Sequence, residues 1–270
     1  MAEAVHTLGV YRRLIGARIR SQLQYRLSFW LNLIGTGLIT FLDFAAILVL
    51  FHQVDALGGW TVAEVGVLYG ISCVSFALAD MIFGHLDQLP QMIRMGDFDQ
   101  VLVRPVGSLL QVIATDFALR RLGKLAQGSI VLAIALAHAD VSWTAGRAAM
   151  IVVAIVAGCV IFAGIWIALS TIVFWLIDSH EAVNAFTYGG NFLTQYPINI
   201  FGPWLRRLVI YLIPLAFTAY FPALYVLEKE DPLELPRALQ FASPVVAAAT
   251  CVVGWALWRN AVRRYRSVGA

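Results

Sequence analysis

Apolar runs long enough to cross a bilayer recur along this chain, and they limit its fold more than any other feature. A helix needs about 20 apolar residues to cross the hydrocarbon core, where lipid offers no partner to an unpaired backbone group. Six such runs can be laid out, at 27–51, 62–84, 122–141, 148–177, 206–227 and 241–259. The third is the least regular. Its approach, 108–124, is amphipathic and reads as the cytoplasmic half of one long helix. Only 13% of the 270 residues are charged, against roughly 25% in a soluble domain. The expectation is an all-α integral membrane protein, a single transmembrane domain over 1–270.

Arginine and lysine orient these runs. With the N-terminus inside, sixteen of the 19 fall on the cytoplasmic side, and Arg147, Lys229 and Arg237 fall outside. That bias predicts cytoplasmic termini in a cell (inner) membrane. The net charge of +3 is too small to suggest nucleic acid. Before the first run, Leu8, Tyr11, Ile15, Ile19 and Leu23 recur at helical spacing, so 5–24 is expected to lie as an amphipathic helix on the cytoplasmic leaflet. Cys73, Cys159 and Cys251 each stand alone in an apolar run and read as small hydrophobes. The stretch 182–202 is apolar, but it contains three asparagines, a glycine pair and Pro197. It is expected to enter or skirt the membrane without crossing.

Between the second and third runs lies a compact charged segment, 86–105, containing IRMGDFDQVLVRPV (93–106). Gly96 and Pro105 should divide it into two short helices, about 86–95 and 98–103. Its pattern is similar to I-R-x-G-x-x-D-x-x-L-x-R-P, found in one subfamily of ABC-2 type permeases, the viologen and drug exporter-like ones. A second stretch, YPINIFGPWLRRLVIYLIPLAFTAYFPALYVL (196–227), resembles the same family at its Tyr-Pro opening, Ile-Pro centre and Tyr-x-Pro-Ala ending.

The resemblance implies six transmembrane helices with an N-terminal interfacial helix. It also implies a cytoplasmic coupling helix that docks on a cytosolic ABC ATPase subunit. Ile93, Arg94, Gly96, Asp97, Phe98, Asp99, Leu102 and Arg104 would carry that contact, with Ile93, Phe98 and Leu102 as apolar anchors. It further implies a second, related permease, as a heterodimer or a homodimer. ATP and magnesium would sit on the ATPase, and drug-like cations are one cargo of the subfamily. The chain itself carries no G-x-x-x-x-G-K-[ST] phosphate loop.

Acids inside apolar runs are costly and mark function by default. Asp43, deep in the first run, and Asp80, near the inner end of the second, are the candidates for a translocation path. Glu64 reads as solvated. Asp178, His180 and Glu181 cluster at the end of the fourth run, but HEAVN (180–184) lacks the second histidine of H-E-x-x-H, and no metal or catalytic site is expected. Ala154, Gly158, Gly164 and Ala168 make small-x-x-x-small pairs that suit close helix packing, within the chain or between subunits. The leading expectation is an exporter permease for apolar or amphipathic cargo. The alternatives are an ion- or proton-coupled carrier using Asp43, or a non-transporting membrane scaffold.

Overall fold

The computed structural model describes residues 16, 24, 26–115, 119–176 and 180–265. The amphipathic helix expected at 5–24 lies outside the described residues apart from two positions, as do Asp178 and Arg266. The described chain is all-α and contains no β-strand. Its helices are α1 (Arg26–Phe51), α2 (Val62–Phe83), α3 (Leu89–Arg94), α4 (Asp97–Leu102), α5 (Ser108–Thr115), α6 (Leu122–His138), α7 (Ala145–Ser170), α8 (His180–Thr194), α9 (Pro203–Arg207), α10 (Tyr220–Val226) and α11 (Ser243–Arg264).

Four helical stretches are long and apolar enough to cross a membrane: Arg26–Phe51, Val62–Arg94, Ala145–Phe174 and Ser243–Arg264. The second combines α2, a 3-10 turn at Gly84–Gln88 and α3. It is the most buried of the four, and its core residues Val67, Leu68, Ile71 and Phe76 are sealed from solvent. A capping box starts it, in which the Thr61 side chain accepts from the Glu64 N–H and the Glu64 carboxylate accepts from the Thr61 N–H. This arrangement satisfies two of the free donors at the helix start.

Glycines let the helices close on one another. A Cβ on Gly158 would lie 2.6 Å from the Ser75 hydroxyl, and one on Gly164 would lie 2.7 Å from the Thr250 carbonyl. Both glycines of the small-residue pattern in α7 therefore serve packing inside the chain, against α2 and α11. Gly70 and Gly66 do the same in α2, meeting Leu132 and Ala135 of α6.

Two expectations about the path of the chain are corrected. The stretch 108–141 is not one helix: α5 ends at Thr115, and a 3-10 turn, Leu119–Arg121, precedes α6. The run 206–227 does not traverse the bundle. Pro203–Leu212 and Leu215–Val226 meet at an angle of 73°. Pro214 cannot donate to a helical ladder, and it forces Ile213 out of helical geometry, to φ −119 and ψ 87. Both ends of this bent pair lie at the same end of the bundle. Before it, the Asn199 amide donates to the Gly58 carbonyl, 2.8 Å; after it, Lys229 pairs with Glu64, 2.8 Å. The bend is held deeper, where the Ser243 hydroxyl donates to the Phe217 carbonyl.

The segment that runs from one end of the bundle to the other is 188–199, the second half of α8 and the residues after it, within the stretch expected not to cross. Tyr188 meets Asp87 just past the end of α2, Asn191 and Thr194 meet Ser72 half-way up it, and Asn199 reaches the loop that precedes it. Of the asparagines that argued against a crossing, Asn191 is buried inside the chain and Asn184 and Asn199 are half-buried. Thr187, Asn191, Thr194 and Gln195 are all at least 96% shielded, and α8 places the first three against α2 and α7 instead of lipid.

Candidate functional site

The segment 86–105 folds as expected into two short helices, α3 and α4, hinged at Gly96. Gly96 has φ +76, a left-handed conformation that a Cβ disfavours. Gln111 of α5 fastens the far end, since its side-chain amide donates to the Val101 and Val106 carbonyls at 2.9 and 2.6 Å.

The orientation of the segment corrects the sequence expectation. Phe98 and Ile93 are buried within the chain, at 0% and 2% exposure. Phe98 sits in a cage of rings: Phe174 at 5.3 Å, Tyr265 at 5.1 Å and Trp258 at 6.3 Å, all edge-on. Phe174 lies at the end of the α7 region, and Trp258 and Tyr265 lie at the end of α11. Edge-to-face pairs place the positive rim of one ring against the negative face of another. Burial and the nearby Asp99 carboxylate push the Tyr265 hydroxyl up to about 12. Ile93 and Phe98 thus root the segment in its own bundle and cannot reach into a partner's groove. The outward face carries Arg94, Met95, Asp97, Gln100, Leu102, Val103 and Arg104, with Met95 and Val103 the most exposed apolar side chains. Met95 and Val103 were missed because apolar residues at this spacing give no sign of which face meets the bundle.

Asp80 is not free to meet a substrate. Arg121 bridges it at 2.7 Å, and both side chains are largely buried. Tyr188 donates towards Asp80 and to Asp87 (3.4 and 3.0 Å), and Trp166 donates to Asp87, 2.9 Å. This network ties α2, the turn before α6, α7 and α8 together at the end of the bundle that carries the segment 86–105. Burial of the pair is tolerable because each charge has its partner and further hydrogen bonds. Asp87, Arg121, Tyr188 and Trp166 were invisible in the sequence as a group, since they come from four separate runs.

Lys124, expected in the cytoplasmic half of a long helix, lies inside the bundle with its ammonium 4.2 Å from the centre of the Phe76 ring. Phe76 in turn stacks on Trp166 at 5.5 Å. Asp43, half-buried in α1, lies within electrostatic reach of Lys124. Asp80, bridged to Arg121, is therefore a paired acid and not an isolated one.

At the opposite end Glu64 is not merely solvated. Lys229 holds it at 2.8 and 3.0 Å while lying 5.2 Å from the Trp60 ring. Ser142 and Arg147 both bond Glu228, and the Ser142 hydrogen bond, followed by the Arg147 charge, holds the Glu228 carboxyl below its usual range.

The described residues thus form a bundle of apolar helices with a short helical hinge, rooted by Ile93 and Phe98, at one end. The model of one protein family, described as ABC-2 family transporter protein, matches residues 38–269. No curated protein and no solved structure matches the chain. The family match takes in every helix from α2 to α11 together with the hinge. This chain belongs to the ABC-2 family of transporter proteins and is a multi-pass membrane permease, of a kind that works with an ABC ATPase.

Proposed function

We propose that this permease drives export of an apolar or amphipathic molecule from the cytoplasm or inner leaflet, by alternating access powered by ATP hydrolysis on a separate subunit. The observation that carries the reading is the hinge at 86–105. Its buried residues are fixed to α7 and α11 through the Phe98 cage, and its outer face offers Met95, Leu102 and Val103 among Arg94, Asp97 and Arg104. A few apolar contacts inside a charged rim suit a modest protein interface. A push on that face is delivered directly to two of the long helices. Ile93, Phe98 and Gly96 are positioning residues in this account, Asp99 lies beside Tyr265, and the remaining residues make the ATPase contact.

The topology that fits the contacts has six crossings, with α6 and α8 as the third and fifth. Residues 203–226 then form a re-entrant hairpin from the outer side. Arg206 and Arg207 move outside, which weakens the inward excess of basic residues without reversing it. Both termini are cytoplasmic, in the inner membrane. A second, related permease completes the conduit, with Asp43 and Asp80 beside it, and ATP and magnesium are bound by the ATPase alone. Asp80 is paired with Arg121, which removes it from the acids that a proton-coupled carrier could use. The test is to purify the tagged chain in mild detergent and look for a phosphate-loop ATPase in stoichiometric amount. Its absence, with the permease intact, contradicts the reading.

A further inference from the structure

A groove of about 450 Å3 runs between α5 and the last turns of α11, within the range of small-molecule sites, roughly 300–1,000 Å3. Leu109, Leu110 and Ile113 make the α5 wall apolar, and Trp255, Arg259 and Arg263 stand on the α11 wall. The Trp258 indole donates to the Ser108 hydroxyl, 3.2 Å, which fixes the two walls against each other. Trp258 is also a ring of the Phe98 cage, so the groove adjoins the root of the hinge.

The charge in this groove has one sign. Among the described residues no Asp or Glu lines it, and none forms a salt bridge with Arg259 or Arg263. The Arg259 guanidinium lies over the Trp255 ring, 5.3 Å from its centre. This contact steadies the side chain without supplying an anion, and the planar N–H fork of an arginine matches the oxygens of a phosphate. Depth restricts what carries that phosphate. Helical rise places Arg259 and Arg263 about 24 and 30 Å along α11 from Ser243, at the edge of a hydrocarbon core about 30 Å thick. Val245, Val252 and Trp255 share the arginines' face of the helix by their spacing, and all three are more than half exposed. A phosphate on the two arginines therefore continues into an apolar strip running towards the bilayer centre, which is the chemistry of a phospholipid. Basic pockets beside membrane helices favour anionic headgroups.

We propose that this groove is a binding site for an anionic phospholipid, whose phosphate is held by Arg259 and Arg263 and whose acyl chain lies along α11 over Val252. The inference needs α11 to cross the membrane, and it does not depend on the transport reading.

The full chain in mild detergent is titrated with dioleoyl phosphatidylglycerol or dioleoyl phosphatidylcholine, which share their chains, and bound lipid is counted by native mass spectrometry. Saturable binding of phosphatidylglycerol is expected, half-complete at a concentration about tenfold below that for phosphatidylcholine. Arg263→Gln should raise the phosphatidylglycerol value about tenfold, the worth of one charge-assisted hydrogen bond. Arg264→Gln, next along the chain and outside the groove, removes the same charge and should leave the value unchanged. Equal binding of the two lipids overturns the proposal, as does an unchanged response in Arg263→Gln. An equal shift in Arg264→Gln also overturns it, by showing a general attraction to the basic end of α11. Displacement of phosphatidylglycerol by excess inorganic phosphate at matched ionic strength would make this a site for a soluble anion and contradict the lipid. Loss of co-purifying ATPase from Arg263→Gln, with lipid binding intact, would give the face to a protein instead. A native-like thermal melt establishes that each variant is folded. Should Arg263→Gln fail to fold, Arg259→Gln takes its place with the same expected shift.

Discussion

Phe98 and Tyr265 meet edge to face, ring centroids 5.1 Å apart and planes at 82°, although one lies between the second and third apolar runs and the other just past the last. This contact fastens the hinge to the end of α11, and its energetics are measurable. Phe98→Ala removes a fully buried ring and leaves a cavity among Phe174, Trp258 and Tyr265. A loss of about 3–5 kcal/mol is expected, read as a lower unfolding temperature for the purified permease. Phe98→Leu should recover much of it. An unchanged melting curve in Phe98→Ala would mean that the cage does not hold the hinge.

The Asp80–Arg121 pair should behave as a buried unit. Arg121→Met strands the carboxylate among apolar neighbours and should cost about 3–5 kcal/mol, whereas the double variant Arg121→Met with Asp80→Asn should cost clearly less than the single one. Urea unfolding of the three proteins checks this. Additive losses would show that the two side chains do not act as a pair.

Lys229 and Glu64 form a partly shielded pair at the other end. Lys229→Met should destabilise by about 1 kcal/mol at most, and by less as salt is raised, because exposed pairs are weak and screened. Thermal melts at low and high ionic strength measure both. A salt-independent loss would assign the effect to the packing of the Lys229 stem on Trp60.

The path of residues 182–227 predicts a labelling pattern. A cysteine replacing Arg207 should react with a membrane-impermeant maleimide added outside intact cells, as should one replacing Glu230, while one replacing Arg104 should not. Protection at 207 together with reaction at 230 would restore 206–227 as a crossing.

Much of the fold was legible in the sequence, and the exceptions have a common cause. The apolar runs at 27–51, 62–84 and 148–177 appear as helices within a few residues of those limits because hydrophobicity over 20 residues is a dense signal. The hinge was legible because Gly96 and Pro105 break helices locally. The fate of 182–202 was not, because Thr187, Asn191 and Thr194 look unsuited to lipid and are suited to the helices α2 and α7 that cover them. Pro214 was visible, but whether a proline kinks a crossing or turns the chain back depends on what lies beneath it, here Phe217 and Ser243. The burial of Phe98 was hidden for the same reason, since its cage is assembled from the ends of distant helices.

The account rests on the outward face of the hinge as the place where an ATPase takes hold, and Val103→Asp tests it most directly. Val103 is 84% exposed, so the substitution should leave stability within about 0.5 kcal/mol and membrane levels unchanged. The measurement is the amount of ATPase that co-purifies per permease, for wild type and variant side by side. The account predicts that the variant reaches the membrane normally and loses most of its ATPase. Full retention of the ATPase by Val103→Asp, and equally by Met95→Asp, would contradict it.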